Sequence, residues 1–288
     1  MSKQPGRLIV GLIGEGIGAS RTPAMHEAEG KAQGLDYSYR LIDTAGMERP
    51  DLEALLADAE AAGFAGVNVT HPFKQQVLAH VAEQAAEVGK VGASNTVLFT
   101  ACGRKAHNTD YLGFFHAFRS ELGEEPMDRV LLLGAGGAGR AVGLALAEAG
   151  VRNLLIRDRN AAAAERLVAD IETQFPEAKA ETVTEADLSG VVSDGVVNAT
   201  PVGMLRHPGM PIVRDVLVRK PWVADIVYFP LETELLKTAR ELGCVTMSGR
   251  GMAVMQAAKA FELFTGIEVD PDRMARAFDS FDLGGNAR

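Results

Sequence analysis

Between residues 131 and 141 the chain reads LLLGAGGAGRA, an apolar strand that runs directly into glycines. Gly134, Gly136 and Gly139 stand in the pattern G-x-G-x-x-G, after a strand and at the opening of a helix. Each glycine has a task. Gly134 makes the tight turn, Gly136 lets backbone approach a pyrophosphate, and Gly139 lets helix and strand pack closely. Ala135, Gly137 and Ala138 complete a small-residue loop whose helix N-terminus offers unpaired N–H groups to phosphates. Asp158 follows the next strand, Asn153–Ile156, where an acid receives the ribose 2′-OH of NAD. Glycines at an Ala-rich helix start also serve packing alone. Strand, helix, strand and terminal acid together favour dinucleotide binding over a methyltransferase-like or cofactor-free α/β domain.

Asp158 is flanked by Arg157 and Arg159. An arginine here can hold the 2′-phosphate of NADP, whereas the carboxylate repels it. The sequence therefore favours NAD over NADP, with Arg159 among the cofactor contacts. Solvated surface arginines are the plain alternative.

The rest of the chain alternates in the same way. Strands are expected at Arg7–Ile13, Tyr37–Asp43, Gly66–Thr70 and Ser94–Phe99, with helices at Pro23–Gln33, Asp51–Ala62 and, in the main, Lys74–Gly89. A second series starts at Arg129–Leu133, with a helix at Gly137–Ala149 and further strands at Val196–Asn198, Trp222–Asp225 and Val245–Met247. An amphipathic helix, Ala253–Thr265, comes late in the chain. Alternating βα units predict an α/β protein with mostly parallel sheets, and 288 residues suffice for two domains.

A net charge of −9 argues against a nucleic-acid binder. No apolar run reaches the roughly 18 residues of a membrane span, and LIVGLIG near the N-terminus reads as a buried strand rather than a signal peptide. Two cysteines without CxxC spacing fit a reducing compartment, so a cytoplasmic protein is expected. Six scattered histidines offer no metal-binding pair, and no metal is expected. Monomer and homodimer are both compatible with this composition.

Four polar clusters interrupt the apolar segments: SRTP (Ser20–Pro23), NVTHPFK (Asn68–Lys74), GASNT (Gly92–Thr96) and HNTD (His107–Asp110). Each lies at a strand end or loop, where open α/β sheets place ligands. Hydroxyls, amides, one ammonium and one carboxylate suit a small polyhydroxy carboxylate, whose polar groups need matched partners. Singly, each has a plainer use. Ser20 or Thr22 can cap the helix at Pro23, Asn95 and Asn108 can be turn residues, and Lys74 can be a solvated lysine.

Taken in order, GLIGEGIGASRTPAMHEAEG, GVNVTHPFK, GASNT, HNTDYLGF, GAGGAGRA, NATPVGM, DIVYFPLET and GRGMAVMQAAKAFELFTG resemble the successive motifs of shikimate dehydrogenases over essentially the whole chain. SRTPAMHEAEG and VYFPLETELLK are most similar to the quinate/shikimate dehydrogenase and shikimate dehydrogenase-like branch. The resemblance implies a nicotinamide-dependent oxidoreductase acting on shikimate or quinate. It implies an N-terminal substrate domain, a Rossmann-type dinucleotide-binding domain, and C-terminal helices that return to the first domain. The expected division is 1–108 plus 250–288, and 109–249.

The same resemblance implies Lys74 and Asp110 as the catalytic pair and Ser20 and Thr22 as partners of the substrate carboxylate. Thr70, Asn95, Asp110 and Gln256 would hold ring hydroxyls, with Tyr228 nearby. Thr200, Met204, Val227, Gly249 and Met252 would line the nicotinamide side. Oxidising a secondary alcohol removes a hydride from carbon and a proton from oxygen, and Lys74 is the candidate proton carrier. The chain departs from the common family pattern at Ala19, where histidine is frequent, at Thr22 for serine, and at Ser94 for valine. Arg157, Asp158 and Arg159 replace the usual N-R-T. Two other readings stay open, a dehydrogenase of another alicyclic hydroxy acid such as an aminoshikimate, and a non-catalytic nucleotide-dependent sensor. Retention of Lys74 and Asp110 speaks against the sensor.

Overall fold

The computed structural model describes residues 7–283. The chain divides into two compact units, one of Met1–Thr109 with Val254–Arg288 and one of Asp110–Ala253.

The first unit runs β1 (Leu8–Gly14), α1 (Thr22–Ala32), β2 (Tyr37–Asp43), α2 (Leu52–Ala61), β3 (Phe64–Val69), β4 (Glu83–Gln84), α3 (Ala86–Val91), β5 (Thr96–Thr100), β6 (Gly103–His107) and the first residue of α4 (Thr109–Glu121). Its sheet has the order β2-β1-β3-β5-β6-β4. β1 lies parallel to β2 and β3, whereas β5 is antiparallel to both β3 and β6. The start of β5 therefore meets the ends of β3 and β6, with Thr96 opposite both Asn68 and His107. One edge of the sheet thus collects the loops after β1, β3 and β6 and the loop before β5. Alternating side chains of the strands cover two faces. Ile13, Val67, Val69 and Val97 pack with Leu52, Leu56 and Phe73 on one face, and Val10, Leu12 and Tyr39 pack with Ala260 and Phe264 on the other.

Residues 74–89 do not form one α-helix. They form a 3₁₀ turn at Gln76–His80, then β4, before α3 begins. The cause is tertiary. The amides of Ala82 and Ala85 donate to the carbonyls of Arg104 and Ala106, and β4 pairs with β6, so the backbone of this stretch is satisfied by a neighbouring strand. β6 itself carries Arg104 and Lys105, which makes it inconspicuous as a strand. Arg104 is held between Glu53 and Glu60, at 2.6 and 2.8 Å.

The second unit continues α4 and adds β7 (Arg129–Leu133), α5 (Gly137–Ala149), β8 (Asn153–Arg157), α6 (Ala161–Gln174), β9 (Lys179–Thr182), β10 (Gly195–Asn198), β11 (Trp222–Asp225), α7 (Glu234–Glu241) and β12 (Thr246–Met247). All pairings in its sheet are parallel, in the order β12-β11-β10-β7-β8-β9. This is the doubly wound dinucleotide-binding order, with its reversal between β7 and β10. Two helices follow, α8 (Gly249–Thr265) and α9 (Pro271–Leu283). From Val254 onward they belong to the first unit, where buried Glu29 of α1 binds Arg273 of α9 at 2.8 Å. No helix among the described residues is long and apolar enough to cross a membrane.

Gly66 on β3 shows how tightly the first unit is packed. A Cβ there would lie 2.4 Å from the Val97 carbonyl oxygen and 2.7 Å from the Phe264 ring. Gly66→Ala is expected to lower the unfolding free energy by about 1–3 kcal/mol, the usual cost of overpacking. Equilibrium urea unfolding checks it, and an unchanged midpoint contradicts this packing.

Candidate active site

In the first unit the loop after β1 is fixed by Asp43, at the end of β2. Its Oδ1 accepts from the Gly16 amide at 2.9 Å and its Oδ2 from the Ile17 amide at 3.1 Å. The amides of Ala45, Gly16 and Ile17 hold this carboxyl below its ordinary range. The loop ends in Ser20, Arg21 and Thr22. Arg21 occupies the N-cap of α1 without a side-chain cap bond. Its guanidinium is buried 4.7 Å from the centre of the Phe278 ring and donates to the Phe278 carbonyl at 3.4 Å. Ser20 Oγ accepts from the Thr22 amide at 3.3 Å, so the serine orders the turn rather than acting as the N-cap residue.

Thr70 stands where β3 ends. A Cβ on Gly14 would lie 2.2 Å from its methyl group, so only glycine at position 14 leaves Thr70 in place. A turn closed by the Phe73 amide on the Thr70 carbonyl leads to Lys74, whose own carbonyl accepts from the Ser94 amide at 2.8 Å. Ser94, buried, donates to the His107 carbonyl at 2.8 Å. Asn95 and Asn108 are not plain turn residues. Asn95 Oδ1 accepts from the Thr109 amide at 2.7 Å and its Nδ2 donates to Thr109 Oγ1 at 3.0 Å, so the carboxamide holds the start of α4. Asn108 Nδ2 donates to the Ala93 carbonyl at 2.9 Å. The structure thus draws Ser20, Thr22, Thr70, Lys74 and Asn95 to one edge of one sheet. Gln256 is half-buried on α8, on the helix face shared by Ala260 and Phe264. Asp110, next in the chain after Thr109, belongs to the second unit.

In the second unit the carboxyl edge of the sheet carries the other candidates. Gly134 has φ of +99° and sits against Ala199, whose carbonyl oxygen would be 2.8 Å from an added Cβ. A Cβ on Gly139 would be 2.1 Å from the Gly134 oxygen, whereas those on Gly136 and Gly137 would meet nothing within 4 Å. The loop is closed behind and open in front of the α5 N-terminus, a cradle that fits a pyrophosphate. Asp158, at the end of β8, is tied into it. Its Oδ2 accepts from the Ala135 amide at 2.6 Å and its Oδ1 from the Asn160 amide at 2.7 Å. Arg157 is paired with Glu185, while Arg159 is exposed.

The loops after β10 and β11 are joined by a network that sequence reasoning did not single out. Asn198 Oδ1 accepts from the amide and hydroxyl of Thr200 at 3.0 and 2.7 Å, and its Nδ2 donates to Asp225 Oδ1 at 2.9 Å. Asp225 also accepts from the Val227 amide at 3.0 Å and the Thr233 hydroxyl at 2.7 Å. Thr200 and Val227 are thereby held to one buried carboxyl. Gly249, the first residue of α8, sits where a Cβ would be 2.6 Å from the Ile226 and Val227 carbonyl oxygens. Met252 is buried, while Met204 and Tyr228 are exposed on their loops. The available signal was position, since Asn198 opens NATPVGM while Asp225 opens and Thr233 closes DIVYFPLET. Among the described residues no group of His, Cys, Asp or Glu is placed to hold a metal ion.

Burial pushes the Asp225 carboxyl up to about 6, against the hydrogen bonds from Val227, Thr233 and Asn198. Because this lies above the unfolded value of about 3.9, ionisation costs the folded state stability. The cost is absent below about pH 4 and complete above about pH 6. Asp225→Asn removes this titration. The unfolding free energy of the wild type, taken relative to the variant, is expected to fall between these two values and stay flat above them. Parallel urea-unfolding curves across the window contradict the assignment.

Comparison with known proteins agrees with this architecture. The family model for the shikimate dehydrogenase substrate binding domain matches residues 12–97, and that for the shikimate 5'-dehydrogenase C-terminal domain matches residues 249–277. The chain is 46% identical to a shikimate dehydrogenase (NADP(+)) from Arthrobacter sp. (strain FB24), with 96% of each chain covered. It is 45% identical to a quinate/shikimate dehydrogenase (NAD(+)) from Corynebacterium glutamicum (strain ATCC 13032), covering 94% of this chain and 98% of the relative. Its fold matches the quinate dehydrogenase from Corynebacterium glutamicum in complex with NAD with a TM-score of 0.91 at 44% identity, over 95% of this chain and 99% of that one. A doubly wound sheet with its glycine cradle, a polar edge on the other sheet and full-length similarity at this level place the chain in the shikimate dehydrogenase family.

Proposed function

We propose that the protein is a nicotinamide-dependent oxidoreductase that interconverts shikimate and 3-dehydroshikimate at the 3-hydroxyl, with quinate as the second candidate substrate. The observation that carries this reading is the set of hydroxyl, amide and ammonium groups gathered at one edge of the first unit's sheet. In these roles Ser20 and Thr22 donate to the substrate carboxylate. Thr70, Asn95, Asp110 and Gln256 take the ring hydroxyls, and Tyr228 lies close to the substrate. Asn95 has one amide N–H engaged by Thr109, which leaves the second for a ligand oxygen.

Lys74 carries the proton of the reacting hydroxyl and returns it in the reductive direction, with Asp110 as the other member of the pair. The nicotinamide cofactor, when bound, supplies the hydride acceptor. Gly134, Ala135, Gly136, Gly137, Ala138 and Gly139 would hold its pyrophosphate, and Thr200, Met204, Val227, Gly249 and Met252 its nicotinamide side. Asp158 and Arg159 would meet the adenosine ribose. NAD is favoured because Asp158 places a fixed negative charge at the end of β8 while Arg157 is already engaged by Glu185.

Steady-state assays of the wild type with shikimate and quinate, each against NAD⁺ and NADP⁺, test the reading, and absence of turnover with both substrates refutes it. Lys74→Ala is expected to lower kcat by about 100-fold or more, the scale of acid–base assistance. Near-wild-type turnover would remove Lys74 from the mechanism. Asp158→Ala is expected to raise kcat/KM with NADP⁺ relative to NAD⁺, and a wild type that already prefers NADP⁺ reverses the cofactor assignment.

A further inference from the structure

We propose that Tyr39, Asn68 and Thr96 are positioning residues for the substrate site, acting through a buried hydrogen-bonded chain that ends on the Asn95 carboxamide and the first residue of α4. The inference deepens the proposed function and rests on the role given there to Asn95. The chain starts inside the first unit. Tyr39 Oη donates to Asn68 Oδ1 at 2.7 Å, Asn68 Nδ2 donates to Thr96 Oγ1 at 2.8 Å, and Thr96 Oγ1 donates to Asn95 Oδ1 at 3.1 Å. Asn95 Oδ1 also receives the Thr109 amide.

The direction of the chain is determined at two points. Asn68 Nδ2 also donates to the Asn95 carbonyl at 3.2 Å, and a carbonyl only accepts. The Thr109 amide only donates, so Asn95 must turn its oxygen toward it. Each hydroxyl has one proton, and each proton is used in the same sense along the chain. Burial pushes the Tyr39 hydroxyl above its ordinary value, which keeps it a donor. All five residues are buried, none more than 6% exposed.

Tyr39 and Asn68 lie on strands beside an apolar layer of Val10, Leu12, Ala260 and Phe264. Apolar side chains would fill such a position without the cost of dehydrating polar groups. What the polar chain adds is at its far end, where one rotamer of Asn95 is selected and the start of α4 is held. Asp110 is the next residue after that anchored Thr109.

The test uses the full-length protein with Tyr39→Phe, which keeps the ring, and Thr96→Val, which keeps the shape and breaks the middle link. Each is expected to lower kcat/KM for the preferred substrate about 10-fold while leaving the cofactor KM within about 2-fold, the selectivity expected of a satisfied network that has lost one member. In an Asn95→Ala background the same changes should have less than about 2-fold further effect, because members of one network do not add. Amide exchange at Thr109, read by NMR without ligands, should accelerate in both variants. Equal losses in the two backgrounds, or unchanged exchange at Thr109, overturn the proposal. The exchange measurement decides it even where the wild type turns over neither shikimate nor quinate, so failure of the proposed function is seen separately.

Discussion

A buried carboxamide at a strand boundary is the constraint on which the candidate functional edges of both units depend. In the first unit Asn95 satisfies the amide of Thr109, and in the second Asn198 satisfies that of Thr200. Where a strand ends, the following backbone loses its ladder partners, and a buried polar group left without one costs about 1–3 kcal/mol. Asparagine suits such a position because one planar group presents an acceptor and donors in opposite directions. Asn198 uses its donors on the Val202 carbonyl and Asp225, so a single side chain defines the loop after β10 and links it to β11. Loops held in this way can present side chains to a ligand with little rearrangement.

The two sheets reach this arrangement by different topologies. In the second unit every strand is parallel, so all C-terminal ends fall on one edge, and the reversal of order between β7 and β10 opens the crevice. Gly134 against Ala199 is the closest expression of that reversal. In the first unit β5 runs against its neighbours, which brings a strand start, Ser94–Thr96, to the edge where the others finish. Lys74 and Asn95 are neighbours on that edge because the Ser94 amide is bonded to the Lys74 carbonyl.

What was legible in the residues follows from how local each signal is. The glycine turn, the strands on either side of α5 and the acid at the end of β8 depend on spacing within a short stretch, and they stand where the spacing puts them. The helix expected over 74–89 was overridden by pairing with β6, whose Arg104 is neutralised by Glu53 and Glu60 far away in sequence and whose Lys105 is paired with Glu83 of β4. The polar clusters were visible as clusters. Their division of labour was not, since Asn68, Thr96, Thr109, Asn198 and Asp225 stand inside the same short motifs as the candidates yet face into the protein.

The loop bearing Ser20 and Thr22, the residues proposed for the substrate carboxylate, is braced in a comparable way. One added methyl group in a pocket discriminates between ligands by about 1–3 kcal/mol, and it does so only when the wall cannot yield. The loop is held near its start by the Asp43 carboxylate on two successive amides and at its end by Arg21 stacked on Phe278 of α9. α9 is itself bound to α1 through Glu29 and Arg273. The methyl group of Thr22 therefore stands on a braced turn. In the role proposed for Ser20 and Thr22, a ligand larger at that position would have to displace two buried or charge-assisted anchors, whereas one that fits would meet hydroxyls already in place.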